Sequence, residues 1–221
     1  KCNLLTSIIL PETVKSISFN AFDNCSSLTS INLPDGITSI GESSFAGCSS
    51  LENIHIPGSL TQIGRLAFAS CAIKEVHLHT NITSWGASIF QGCKNMEHAT
   101  LPDNITILPE GLFESCSSLK EINLPESITT IGARAFIGCK SLKTIDLPKA
   151  LKEIGRYGFR NCTSLQSITI PESVETFGDG AFSGCDTLNN VTNLSRIPQD
   201  IDDNTFTHYR TLHVPAGSEQ L

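Results

Sequence analysis

The chain has 221 residues, 39% of them apolar, with 15 Lys and Arg against 22 Asp and Glu, a formal net charge of −7. That balance argues against a nucleic-acid or anionic-membrane partner, since both require a basic face. No Lys/Arg cluster with interleaved aromatics stands out, and the longest apolar run is far short of a membrane span.

Cys recurs at 2, 25, 48, 71, 93, 116, 139, 162 and 185, every 23 residues with a single 22-residue step. Phe keeps step three residues ahead of the later Cys, at 22, 45, 68, 90, 113, 136, 159 and 182. A thiol that repeats together with its whole sequence context marks one slot of a repeating structural unit. No Pro/Gly/Ser linker or low-complexity run divides the chain, so residues 1–221 are expected to form a single elongated domain.

After each Cys the unit opens with Leu-x-x-Ile-x-Leu, as in Leu28/Ile31/Leu33, Leu51/Ile54/Ile56, Leu119/Ile122/Leu124, Leu142/Ile145/Leu147 and Leu165/Ile168/Ile170. The alternation predicts a short strand with one buried face. Pro closes it at 11, 34, 57, 102, 125, 148 and 171, where a continuing ladder would need an N–H. Equivalent strands of successive coils should pair in parallel and in register, roughly 4.8 Å apart. Next comes a brief second extended piece ending in Ile-Gly (Ile40-Gly41, Ile63-Gly64, Ile131-Gly132, Ile154-Gly155), where glycine is expected to reverse the chain with a positive φ. The unit then makes a short helical turn through Ala-Phe. The residue before each Cys (Asn24, Gly47, Ser70, Gly92, Ser115, Gly138, Asn161, Gly184) is of a type that ends helices left-handed. No long helix is expected. One unit cannot fold alone, so stability is a property of the array.

The phrase Cys139-x-x-Leu142-x-x-Ile145-x-Leu147-Pro148, running on to Ile154-Gly155-x-x-x-Phe159, resembles the BspA-like, treponemal-type leucine-rich repeat over essentially the whole chain. The resemblance implies an α/β repeat. It would be a right-handed leucine-rich-repeat solenoid of about nine coils, with a parallel concave β-sheet, short second strands and short helical or 3-10 turns. It also implies a cell-surface or secreted protein that adheres to host or partner proteins. The sequence departs from the pattern locally: His79 replaces the closing Pro, Leu108-Pro109 replaces Ile-Gly, one residue is missing after Cys71, and the last unit has one inserted. Residues 186–221 form an irregular last coil whose end, Thr211 to Leu221, resembles a closing strand-and-turn cap. Lys1-Cys2 falls inside a repeat, so the chain is expected to be a piece of a longer protein.

The nine Cys (Cys2, Cys25, Cys48, Cys71, Cys93, Cys116, Cys139, Cys162 and Cys185) are an odd number, and their spacing gives every thiol the same orientation. Parallel Cβ vectors do not favour bridging. They therefore read as a structural ladder of buried free thiols acting as small hydrophobes. Stacked disulfides are the lesser alternative, and zinc is disfavoured because no C-x-x-C occurs. Glu12, Asp35, Asp103, Glu126 and Glu172 each follow a closing Pro and form an acidic rim; the bland account is solvation, the sharper one a stripe for a basic partner.

The strand positions that face away from the core should line the concave sheet. There Asn53/His55, Glu75/His77, His98/Thr100 and Glu121/Asn123, with Asp146 beyond, form rows of one polar patch. This patch is the candidate partner-binding site. With His79 nearby, it could also respond to pH or hold a metal, although no H-E-x-x-H-like spacing supports metal. Thr38, Thr61, Thr83, Thr106 and Thr129 form a further column, read as a cross-strand ladder without a second matching array. Sequons at Asn24, Asn81, Asn104, Asn161, Asn190 and Asn193 coincide with repeat positions rich in Asn and Thr, and chance accounts for them.

No nucleophile elbow, P-loop or dinucleotide glycine pattern occurs, and the open face lacks a pocket that would tune a carboxylate. No catalytic residues, metal site or cofactor are expected, nor insertion in a membrane. Two functions remain: a binding or adhesion module for a protein or extracellular-matrix partner, or a rigid spacer that displays another domain.

Overall fold

The computed structural model describes residues 2–197 and 199–216. Lys1, Pro198 and residues 217–221, the last five of the expected cap, lie outside them. The chain winds as a parallel β-solenoid of about nine turns. Each coil contributes to three walls.

The first wall carries the Leu-x-x-Ile-x-Leu stretches as Ser7–Ile9, Ser30–Asn32, Glu75–His77, His98–Thr100, Ser167–Ile170, Asn190–Asn193 and Thr211–His213. Pairing is parallel and in register, Ser7 with Ser30, Glu75 with His98, Ser167 with Asn190. The expected continuous sheet is broken into separate pieces. The stretches through Leu51–Ile56 and Leu142–Leu147 hold no strand, and only the Thr100–Asn123 bridge extends the middle piece.

The second wall pairs Ser16–Ile17, Ser39–Ile40, Gln62–Ile63 and Ser84–Trp85 in one sheet, and Ile107–Leu108, Thr130–Ile131, Glu153–Ile154 and Thr176–Phe177 in another. The break between them coincides with a missing donor. Elsewhere the residue after the strand donates its N–H to the preceding coil, as from Gly64 to Ile40 O at 2.7 Å and from Gly86 to Ile63 O at 2.8 Å. At the break that residue is Pro109, which has no N–H to give.

The Ile-Gly glycines do not serve a positive φ. Positive-φ glycines are Gly47, Gly92, Gly111, Gly138, Gly180 and Gly184. Gly41, Gly64, Gly132 and Gly155 are absent from that set because they solve a different problem, the close approach of backbones. A Cβ on Gly41 would lie 2.8 Å from Phe19 N, and one on Gly155 would lie 2.6 Å from Ala133 N.

The third wall, through the Phe and Cys positions, replaces the expected helical turns: among the described residues there is no helix. The hydrogen bonds show why. Ser43, Phe45 and Gly47 donate to Arg65 O, Ala67 O and Ala69 O of the next coil at 2.7–2.8 Å. The alternate donors Ser44, Ala46 and Cys48 bond locally, three residues back. Half of the N–H groups a helix needs therefore leave the segment. Each coil from Phe22 to Phe182 also turns left-handed twice, at Ser43 and Gly47 and at the equivalents Leu66/Ser70, Arg134/Gly138 and Tyr157/Asn161. Two left-handed residues four apart interrupt any right-handed run. The position just before Cys is left-handed as expected; the earlier one carries no sequence signature.

This third wall holds the core in line. Nine phenylalanines, from Phe22 to Phe206, stack with centroids 4.9–6.1 Å apart and planes within 18°. The inserted residue of the last unit is absorbed, since Phe206 still lies 4.9 Å from Phe182. Offset near-parallel rings are a favourable aromatic geometry.

Candidate functional site

The repeat places the candidate residues one rung apart on the first wall. Asn53, His55, Glu75, His77, His98, Thr100, Glu121, Asn123 and Asp146 are all exposed. Their apolar neighbours Val76 and Ile122 face the core, so the pleat holds the polar set outward. Glu75 and His77 sit in register with His98 and Thr100. Two contacts link the rungs: His77 Nδ1 lies 3.0 Å from Thr100 Oγ1, and His98 Nδ1 lies 3.7 Å from Glu121 Oε1. Asn53, His55 and Asp146 sit on rungs where the strand pairing lapses.

Along the edge of this wall runs a column of alternating charge. Lys74 reaches Glu52 at 2.6 Å and Lys120 reaches Glu97 at 2.5 Å. The Lys120 ammonium holds the Glu97 carboxyl below the usual carboxylate range. These exposed pairs add little to stability. What they do is neutralise the rim beside the patch, so its net character comes from Glu75, Glu121 and Asp146.

His79 does not belong to the open face. Half-buried, it stands where other coils have Pro, and its Nε2 donates to Pro57 O at 2.7 Å. That bond fixes the tautomer and leaves Nδ1 buried without a partner. No three ligating side chains come together among the described residues, so the patch offers no assembled metal site. The threonine column is used internally: Thr38, Thr61 and Thr129 hydroxyls donate to the carbonyls of Lys15, Thr38 and Thr106. Asn81 and Asn104 likewise donate to Gly58 O and Thr80 O. The post-Pro acids Glu12, Asp35, Asp103, Glu126 and Glu172 are exposed.

The cysteines are all free; eight are buried and Cys2 is exposed. From Cys48 to Cys185 each Sγ donates to the carbonyl of the Phe one coil back, from Cys48 to Phe22 O at 3.2 Å through Cys185 to Phe159 O at 3.1 Å. Phe45 O, for example, accepts both Cys48 N and Cys71 Sγ, satisfying both lone pairs. The thiol is thus a small apolar group with one donor, which Ala lacks. Burial pushes Cys93 from 9.0 up to about 12, and drives Cys116, Cys139 and Cys162 the same way.

The model of the BspA-type leucine-rich repeat region matches residues 1–97 and 86–213 in six copies. The chain belongs to that family. A leucine-rich repeat protein from Bacteroides ovatus is 34% identical, with a TM-score of 0.86 over 90% of this chain. The chain spans about half, 52%, of that protein's length. The T. pallidum leucine-rich repeat protein TpLRR is 26% identical over 81% of this chain and 76% of its own, with a TM-score of 0.54. The pneumococcal vaccine antigen PcpA shares the fold at 20% identity and a TM-score of 0.57, over 96% of this chain and 69% of its own. No curated protein matches. Among the described residues no helix is long and apolar enough to cross a membrane.

One group went unseen in the sequence. Arg134, Arg156, Tyr157 and Arg160 gather on the third wall of this BspA-type solenoid, with Arg156 and Arg160 4.6 and 4.8 Å from the Tyr157 ring centroid. The signal was present as Arg156-Tyr157-Gly158-Phe159-Arg160, with Arg134 one repeat earlier.

Proposed function

We propose that the chain is a non-catalytic binding module of a cell-surface or secreted protein, docking a protein or extracellular-matrix partner on the first wall. The observation that carries this reading is the in-register array of exposed, chemically varied side chains on a regular scaffold, with Glu75–Thr100 at its centre. The face is open, so recognition would come from several shallow contacts summed over rungs and not from one enclosed pocket. Membership of the BspA-type family supports a protein-interaction role and a surface location.

The test is a binding screen of the intact chain against immobilised matrix and cell-surface proteins, with a variant in which Glu75, His77, His98 and Glu121 become Gln or Ala. The variant is expected to lose binding at least tenfold at unchanged melting temperature. Equal binding by both chains removes the first wall from the function. It would then favour the spacer reading, which the unbroken phenylalanine stack supports as a stiff rod.

A further inference from the structure

Net charge averages over the chain and hides a local reversal. Residues 134–160 carry seven Lys and Arg against two Asp and Glu, +5 in a molecule of −7. Within that band Arg134, Lys140, Lys143, Lys149 and Arg160 form no ion pair among the described residues. Unpaired cations in a protein with an acid surplus are not explained by solubility.

The third wall concentrates three cations of the band, the unpaired Arg134 and Arg160 with Arg156 between them. Arg156 Nη2 donates to the Tyr157 hydroxyl at 3.0 Å, and its Nε lies 3.5 Å from exposed Asp179. The Arg160 guanidinium lies over the same ring, and its Nε is buried without an acceptor. A buried N–H of a charged group with no partner is costly unless something supplies the acceptor. Arg134 stands one coil earlier at the position equivalent to Tyr157, exposed, bonded through its backbone to Arg156 O. Arg134 and Tyr157 both hold left-handed φ, 59° and 57°, which fixes where their side chains start.

We propose that this Arg134–Arg156–Arg160 cluster is a docking site for an acidic peptide segment of a protein partner. Guanidinium forks match carboxylates two oxygens at a time, and the two arginines lacking an acid present unused donors. A glycan is the poorer fit. Two guanidiniums lie over the Tyr157 ring, and a Cβ on Gly180 would lie 2.7 Å from its Cε1, so the next coil's backbone presses on it as well. Little aromatic face is left for a sugar to stack on.

The test uses fluorescence anisotropy with labelled octaglutamate on the intact chain, alone and against a sulfated polysaccharide competitor. Arg134→Gln and Arg160→Lys are the probing variants; the second keeps charge and stem but loses the fork. Lys74→Gln with Lys120→Gln, which removes two cations from the first-wall edge, is the control. Binding that weakens with salt, about tenfold with each probing variant and less than twofold with the control, supports the site. Should Arg160→Lys unfold the chain, Arg134→Gln decides alone. Absence of octaglutamate binding, equal loss in control and probes, or exclusive binding of the polysaccharide overturns the proposal.

Discussion

The third wall and the first wall are built from the same repeat, yet only one of them is continuous. The phenylalanine stack passes every irregularity, including the short step between Cys71 and Cys93 and the insertion before Phe206. Each Phe from Phe22 to Phe182 donates its N–H to the next coil. The first wall lapses at two rungs and the second at Pro109. The difference teaches where specification resides. Rings, thiols and interleaved hydrogen bonds on the third wall hold coil to coil, which frees the outward positions of the first wall to vary.

Breaking the stack should have the largest effect. Phe113→Ala removes a fully buried ring between two stacked neighbours and is expected to cost about 3–5 kcal/mol by urea unfolding. Next comes the tight backbone passage of the second wall. Gly155→Ala forces a Cβ to within 2.6 Å of Ala133 N and should cost roughly 1–3 kcal/mol. Gly58→Ala, where nothing lies within 4 Å, should be neutral within about 0.5 kcal/mol.

The thiol file sharpens the comparison through pH. A folded pKa raised above the unfolded one means that the native state keeps protons the unfolded chain has lost. Stability is therefore full below pH 9 and falls as pH rises from 9.0 toward 12, the window set by Cys93. The loss is on the order of 1 kcal/mol per pH unit for each such thiol. Chemical denaturation at pH 8, 9.5 and 10.5 measures the slope, and Cys93→Ala should lower it by one thiol's share, with Cys116, Cys139 and Cys162 keeping theirs. A first-wall change such as Glu75→Gln should have the smallest effect, within about 0.5 kcal/mol, because Glu75 is exposed.

What was legible in the sequence follows the same division. The register of Cys and Phe predicted the stacking order, since a fixed period in a solenoid becomes a column. The left-handed residue before Cys was legible because Gly and Asn tolerate it. The second one was not: Leu66, Arg134 and Tyr157 are held there by inter-coil hydrogen bonds that no local propensity reveals. The Ile-Gly glycines were misread because positive φ and close approach both select Gly, and only the neighbouring coil tells them apart. The helical turn failed for a related reason, since local bonds three residues back look helical until half of the donors are found on another coil. His55, His77 and His98 are exposed, whereas His79, in a Pro slot, turns inward to bond Pro57 O. Of the arginine cluster, Arg156, Tyr157 and Arg160 lie within five residues of one coil; only Arg134, one repeat earlier, joins them through the stacking of coils.

Native-state hydrogen exchange tests most directly whether the third wall holds the coils together. The account predicts that the amides of Phe45, Phe68, Phe90, Phe113, Phe136 and Phe159 exchange slowest and with one common opening free energy. It is contradicted if they exchange ahead of first-wall amides such as Val76 and Ile168, or open separately, coil by coil.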